Sequence, residues 1–255
     1  GATRRVSRRG RRERGGRASR PEHGVGSGFI TMDWSAVPRL TWESAYLGIV
    51  PALIGLIISL PVGIACTRFR WLYGPVLSAT SILYALPSLA LFIVLIPYTG
   101  LTDTTVIIPL TLFSLCVLVP GVVDGMRSVP DPVRQAATAM GFGTVRRLVQ
   151  VELPIAVPIV IAGLRVAMVS SISLASVGQL IGVSSLGYLI VDGYQRDFAL
   201  EIYVGGGFII ALALVCDLVL VLVRRLLTPW QPRRSRAEAK ALAAAAAPSA
   251  MAVAR

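Results

Sequence analysis

Apolar residues fall along this chain in five long blocks: Ala45–Cys66, Leu77–Ile96, Thr104–Val123, Pro158–Val183 and Tyr203–Val223. Each is about 20 residues long, the length at which a helix rising 1.5 Å per residue crosses a hydrocarbon core of roughly 30 Å. In lipid the backbone has to satisfy its own hydrogen bonds, so these blocks predict helices and not barrel strands. The fold class that follows is all-α integral membrane, with about five transmembrane helices. Residues 32–44 form a short segment ahead of the first span, and residues 45–228 the membrane domain. Pro51, Pro61, Pro87, Pro109 and Pro120 lie inside the blocks and predict local bends.

One polar interruption differs from the others. Residues 127–155 carry helix signals of their own. Asp131 and Pro132 read as a helix start, the carboxylate capping free amides and the proline preset for the first turn. Val133, Ala136, Ala137 and Met140 then recur at helical spacing as one apolar stripe, with Arg134, Gln135 and Thr138 off it. Gly141 and Gly143 stop that helix. Thr144 is placed to cap a second one, in which Val145, Leu148 and Val149 share a face. Pro154 is expected to end it, and Pro158 to open the next span. Small side chains on the first stripe suit close insertion into a partner's groove. Spacing alone equally allows an amphipathic loop lying on the membrane surface. A DNA-binding helix-turn-helix has the same outline, but no third helix is available to complete a domain, so no nucleic-acid partner is expected.

Charge refines this picture by its location. The net charge is +12, yet much of it sits in Arg4, Arg5, Arg8, Arg9, Arg11, Arg12, Arg14, Arg17 and Arg20, a tail with few large apolar residues that composition predicts to be disordered. Elsewhere, arginines alternate from loop to loop, and positive loops mark the cytoplasmic side. Arg68 and Arg70 follow the first span, Arg127, Arg134, Arg146 and Arg147 occupy the island, and Arg224, Arg225, Arg233, Arg234 and Arg236 follow the last. The loops near Thr102–Asp103 and Asp192–Glu201 hold Arg196 alone among cations. The expected topology places the N-terminus and residues 32–44 outside, and the island and C-terminus in the cytoplasm. The arginine-rich tail contradicts it, so the expectation is that Met32 is the initiator and residues 1–31 are not native. Residues 229–255 are expected to be a cytoplasmic tail, alanine-rich from Ala237 onward.

The island also resembles a known family. Gln135-Ala136-Ala137, three residues, Gly141, nine residues, then Val151-Glu152-Leu153-Pro154 is similar to the cytoplasmic loop of binding-protein-dependent ABC importer permeases, whose pattern is Glu-Ala-Ala-x3-Gly-x9-Ile-x-Leu-Pro. Gln135 for Glu and Val151 for Ile are the departures. Leu86-Pro87-Ser88-Leu89-Ala90-Leu91, Ala162-Gly163-Leu164-Arg165 and Asp217 resemble the branch that imports glycine betaine, choline or carnitine. Gly182-Val183-Ser184-Ser185 departs from that branch, which tends to carry a glycine run before Leu186-Gly187. The resemblance runs from about Ala45 to Pro229. It implies a methionine-importer-like permease fold moving an osmoprotectant by alternating access. Gln135, Ala136, Ala137, Gly141, Val151, Leu153 and Pro154 would then form the coupling loop, seated on a cytoplasmic ABC ATPase subunit. An extracytoplasmic substrate-binding protein would deliver the cargo, and a second permease chain, identical or related, would complete the pathway. A permease for another small solute such as an amino acid, or an ion-coupled secondary transporter, remains the alternative; the latter predicts inverted repeats.

Two charges lie deep within spans. Arg165 and Asp217 would each cost several kcal/mol unpaired, and they are expected to reach similar depths as an intramembrane ion pair. Tyr84 and Ser88, one turn apart beside Pro87, are candidates to line a translocation pathway. Cys66, Cys116 and Cys216 all fall in spans and read as small hydrophobes. The chain has no phosphate-binding Gly-x4-Gly-Lys-Ser/Thr loop, Lys240 being its lone lysine, and His23 its lone histidine. No enzyme activity, cofactor or metal site is expected in this chain. Any ATP hydrolysis belongs to another subunit.

Overall fold

The computed structural model describes residues 34–229, so the expectations for the arginine-rich tail, Met32, His23 and the alanine-rich tail lie outside the described residues. Those residues form helices and no strand. α1 (Val37–Arg68) starts well before the apolar block, with Pro38 in its first turn, where a missing N–H costs nothing. α2 (Arg70–Ala85), α3 (Ser88–Thr99) and α4 (Asp103–Arg127) follow. The island supplies α5 (Asp131–Ala139) and α6 (Thr144–Arg147). A π turn (Leu148–Glu152) joins α6 to α7 (Leu153–Ala175), which tightens into a 3-10 turn (Ser176–Ile181). α8 (Gly187–Gln195) and α9 (Ala199–Leu227) close the chain. Four of these helical runs are long and apolar enough to cross a membrane, and the α2–α3 pair makes up to a fifth.

The second predicted span is broken. Between α2 and α3 the axis turns by 91°, because Leu86 precedes Pro87 and is driven out of the helical region to φ −74°, ψ 134°. Pro51, Pro61, Pro109 and Pro120 have the same chemistry, yet α1 and α4 continue through them. Burial does not separate the cases: Pro51 and Pro109 are buried, but Pro61 is exposed like Pro87 and α1 continues through it. Both halves still pack on the bundle, α3 through the fully buried Phe92 and α2 through the Thr80 carbonyl, which accepts from Cys116 of α4 at 2.9 Å.

α1, α4 and α7 form the packed centre, and they approach through small residues. A Cβ added at Gly63 would stand 2.5 Å from Val122, one at Gly55 2.8 Å from Ser114, and one at Gly125 3.1 Å from the Ala156 carbonyl oxygen. A Cβ at Gly48 would overlap Ile172. Lipid tails are as apolar as leucine, so van der Waals fit between helices replaces the hydrophobic drive available in water. The buried side chains stack in three layers along the bundle. Leu47, Leu110, Phe92 and Ala175 form one layer, Ala52, Leu118, Leu164 and Met168 the middle, and Val122, Met126 and Ala156 the layer beside the island. Ser114 and Ser171 share a buried hydrogen bond at 3.2 Å between α4 and α7. α9 keeps its apolar face outward: Ile210, Leu214, Leu218, Leu222 and Leu226 recur every fourth residue and are exposed, as a surface in contact with lipid or another membrane helix requires. At the far end of the bundle Gly182, at φ 85°, turns the chain back, and the Leu186 amide donates to Ser44 Oγ of α1 at 2.7 Å. The three cysteines are free thiols.

Candidate functional site

The island begins differently from its sequence reading. Pro130, not Asp131, precedes the first helical turn, and no side chain caps it. Asp131 sits inside that turn with its carboxylate 3.6 Å from Arg134. It is 82 % exposed, so this ion pair adds little. Gly141 ends α5 with φ 81°. The Phe142 amide donates to the Ala137 carbonyl at 3.1 Å and the Gly141 amide to Thr138 at 3.0 Å, the pairing that closes a helix through a left-handed residue. A Cβ added at Gly141 would meet no atom. Backbone conformation, and not space for a partner, demands glycine there.

The second half of the island corrects three expectations. Gly143 precedes α6 and Thr144 is its first residue, without a side-chain cap. Pro154 does not end the helix, and Pro158 does not open a span; the chain runs on as one helical span from Thr144 to Ile181. The π turn explains this. Proline has no N–H and its ring crowds the carbonyl four residues back. The ladder therefore widens by one residue just before Pro154, with the Leu153 amide donating to Leu148.

The stripe of Val133, Ala136, Ala137 and Met140 is mostly open. Ala137 is buried while Val133, Ala136 and Met140 are exposed. Gln135 is exposed beside Thr138, Ala139 and Arg147, which line a shallow groove. Val151, Leu153 and Pro154 are half-buried on the return to the bundle. Arg146 lies over the Phe142 ring at 4.6 Å and donates to Gln150 at 3.0 Å.

A residue the sequence reading passed over sits at the centre. Glu152, delivered by the π turn, is 8 % exposed. Its Oε1 accepts from Arg147 Nε at 2.8 Å, and its Oε2 lies 3.9 Å from Arg134 Nε. Arg147 also donates to Thr138 Oγ1 at 2.9 Å, and Arg134 to the Met126 carbonyl at the end of α4 at 2.6 Å. Glu152, Arg147, Arg134 and Met126 line a cavity of about 320 Å³ shared with Ile64, Thr67 and Arg68 of α1. The available signal was an acid alone in an apolar run downstream of several arginines.

Within the bundle the structure brings Arg165 of α7 against Asp217 of α9. Nε and one terminal nitrogen donate to the two carboxylate oxygens at 2.6 and 2.7 Å, the two-pronged geometry that a guanidinium favours. Tyr84 and Ser88 are not brought together as one turn of a helix. The break at Pro87 puts Tyr84 at the end of α2, its ring edge-on to Phe113 with centroids 6.3 Å apart, and Ser88 at the start of α3.

With this geometry in place, known proteins supply a comparison. The family described as binding-protein-dependent transport system inner membrane component matches residues 55–236. The glycine betaine/carnitine/choline transport system permease protein OpuCD of Bacillus subtilis (strain 168) is 32 % identical over 189 residues, 74 % of this chain and 82 % of that protein. The osmoprotectant import permease protein OsmW of Salmonella typhimurium (strain LT2) is 31 % identical, covering 74 % of this chain and 91 % of that one. The MetNI methionine ABC transporter in an inward-facing conformation superposes with a TM-score of 0.67 at 22 % identity, over 77 % of this chain and 100 % of that chain. At that identity the likeness concerns the fold alone.

Proposed function

The chain belongs to the binding-protein-dependent transport system inner membrane components, and from that premise we propose that it is the permease of an ATP-driven importer for a small osmoprotectant such as glycine betaine, choline or carnitine. It is a multi-pass protein of the cell membrane. The observation that carries the substrate class is the 31–32 % identity to permeases named for those solutes. Its partners are ABC ATPase subunits, a substrate-binding protein and a second permease chain. ATP hydrolysis falls to the ATPase subunits. The arginines of the island and of the two span ends support an orientation with the loop and the C-terminus in the cytoplasm and the N-terminus outside.

The mechanism is alternating access. Closure of the ATPases pushes on α5, and the push passes through the helix that runs unbroken from the island into α7. Gln135, Ala136, Ala137, Gly141, Val151, Leu153 and Pro154 form the coupling loop. Ala136 and Gln135 present the contact surface, while Ala137 and Gly141 shape it from within. Arg165 and Asp217 clamp α7 to α9 so that the two move together. Tyr84, Pro87 and Ser88, at the exposed break between α2 and α3, border the translocation path.

The test is to purify the chain with its companions from native membranes and reconstitute it in vesicles. ATP-dependent uptake of betaine or choline, dependent on the binding protein, is expected. Uptake driven by an amino acid's binding protein alone would shift the substrate class, and absence of any ATPase companion would overturn the reading.

A further inference from the structure

α5 has nine residues and buries Ala137 alone. A helix that short is marginal in water, and one alanine is a small anchor, so apolar packing does not set its direction. Polar groups do. Arg134 ties α5 to the Met126 carbonyl of α4, and Arg147 ties α6 to Thr138 of α5. Both guanidinium groups converge on one buried carboxylate, that of Glu152. Arg68 of α1 lines the same cavity. Arg134 Nε is itself buried without a hydrogen-bond acceptor, so Glu152 is the one negative charge that faces it from inside.

We propose that Glu152 is the positioning residue of the coupling loop. By holding Arg147 and Arg134 together it sets the angle at which α5 presents Gln135 and Ala136. Because it belongs to the π turn continuous with α7, it also ties that angle to the transmembrane helix. A buried ion network contributes geometry more than stability. With the carboxylate neutralised, three guanidinium groups border one cavity, the exposed Asp131 carboxylate 3.6 Å from Arg134 offsets them only weakly, and α5 is pushed away from the bundle. The consequence for transport rests on the importer reading above; the consequence for the position of α5 does not.

The experiment uses the full complex and has two arms. In the first, Glu152→Gln and Arg147→Gln each lower solute taken up per ATP hydrolysed by roughly tenfold, a usual size for coupling between sites. The amount of assembled complex stays unchanged. The double variant is no worse than either single, since both cut the same link, and Glu152→Asp, which keeps the charge, recovers part of the loss. Unchanged coupling in both singles, or losses that multiply in the double variant, would overturn the proposal. In the second arm, spin labels on Ala139→Cys, exposed at the end of α5, and Leu218→Cys, with the native cysteines replaced, report the distance from α5 to α9. Glu152→Gln shifts or broadens that distance; an identical distribution overturns the proposal whatever transport does. Should Glu152→Gln fail to accumulate, the more exposed Arg147→Gln carries both arms. Absence of ATP-driven uptake in the parent complex speaks against the importer reading and leaves the distance arm to decide on Glu152.

Discussion

In the centre of the bundle, α1 and α7 touch where Gly48 leaves no room for a Cβ beside Ile172, and α1 and α4 touch where Gly63 meets Val122. In the island, α5 meets the rest of the chain through guanidinium groups and one carboxylate, with a single alanine buried. The two ion pairs show the same division. Arg165 and Asp217 join helices 52 positions apart in sequence, inside the membrane span. Arg147 and Glu152, five positions apart, brace a local turn. Solvent explains the contrast. Within lipid, close fit is the main attraction left between apolar helices, and a charge is tolerated when it is paired. At the water boundary a short helix has little apolar area to bury, and hydrogen-bonded charges orient it instead.

The contrast is sharpest at its extremes. Gly48→Leu is expected to cost about 3 kcal/mol or more, the upper end for overpacking, because Ile172 backbone atoms as well as its side chain stand in the way. Loss of monodisperse protein from membrane extracts and a lowered Tm are the readouts; normal yield would mean that α1 and α7 have slack. Next in size is the intramembrane pair. Arg165→Leu or Asp217→Leu alone leaves one charge in the span and lowers the amount of folded protein several-fold. Changing both to leucine recovers most of it. A double variant no better than the singles would show that the two charges do not compensate each other.

The island responds on a smaller scale and one position at a time. Ala137→Glu forces a carboxylate into a buried site and is expected to loosen the loop by about 1–3 kcal/mol, as most disruptive substitutions do, visible as faster proteolysis near Gly141. Ala136→Glu, its exposed neighbour, leaves proteolysis unchanged and weakens retention of the ATPase subunit roughly tenfold, equivalent to 1.4 kcal/mol. Equal behaviour of the two would erase the distinction between inward and outward faces of α5. Comparable in size, Gly141→Ala meets no atom and costs about 1–2 kcal/mol for the left-handed backbone alone, read as a modest Tm shift with coupling retained.

Much of the fold was legible along the chain because it depends on hydropathy, a property summed over whole segments. The long blocks around Ala52, Val119, Leu164 and Ala213 each became a continuous helix. The block around Tyr84 did not, although its proline looks no different in sequence from Pro51 or Pro109. Pro61, Pro75 and Pro97 are as exposed as Pro87 and their helices continue through them, so neither the proline nor its exposure marks the break; the extended backbone at Leu86 does. In the island, the motif spacing located α5 and Gly141 but misread Asp131 as a cap and Pro154 as a stop. Both errors came from treating a local propensity as decisive where a neighbouring turn had already absorbed it.

The sequence by itself determined that this is a helical membrane protein, where its spans lie, and that a permease-like loop interrupts them. Those features follow from local composition and from spacings of a few residues. Only the tertiary structure decided that Ala137 faces inward and Ala136 outward, that Arg165 reaches Asp217, and that Glu152 stands between two arginines. Each of these depends on rotations and distances accumulated over many residues. The carboxylate of Glu152 is buried at the end of a one-residue widening of the helix at Leu148–Glu152, and no periodicity in the sequence records that turn.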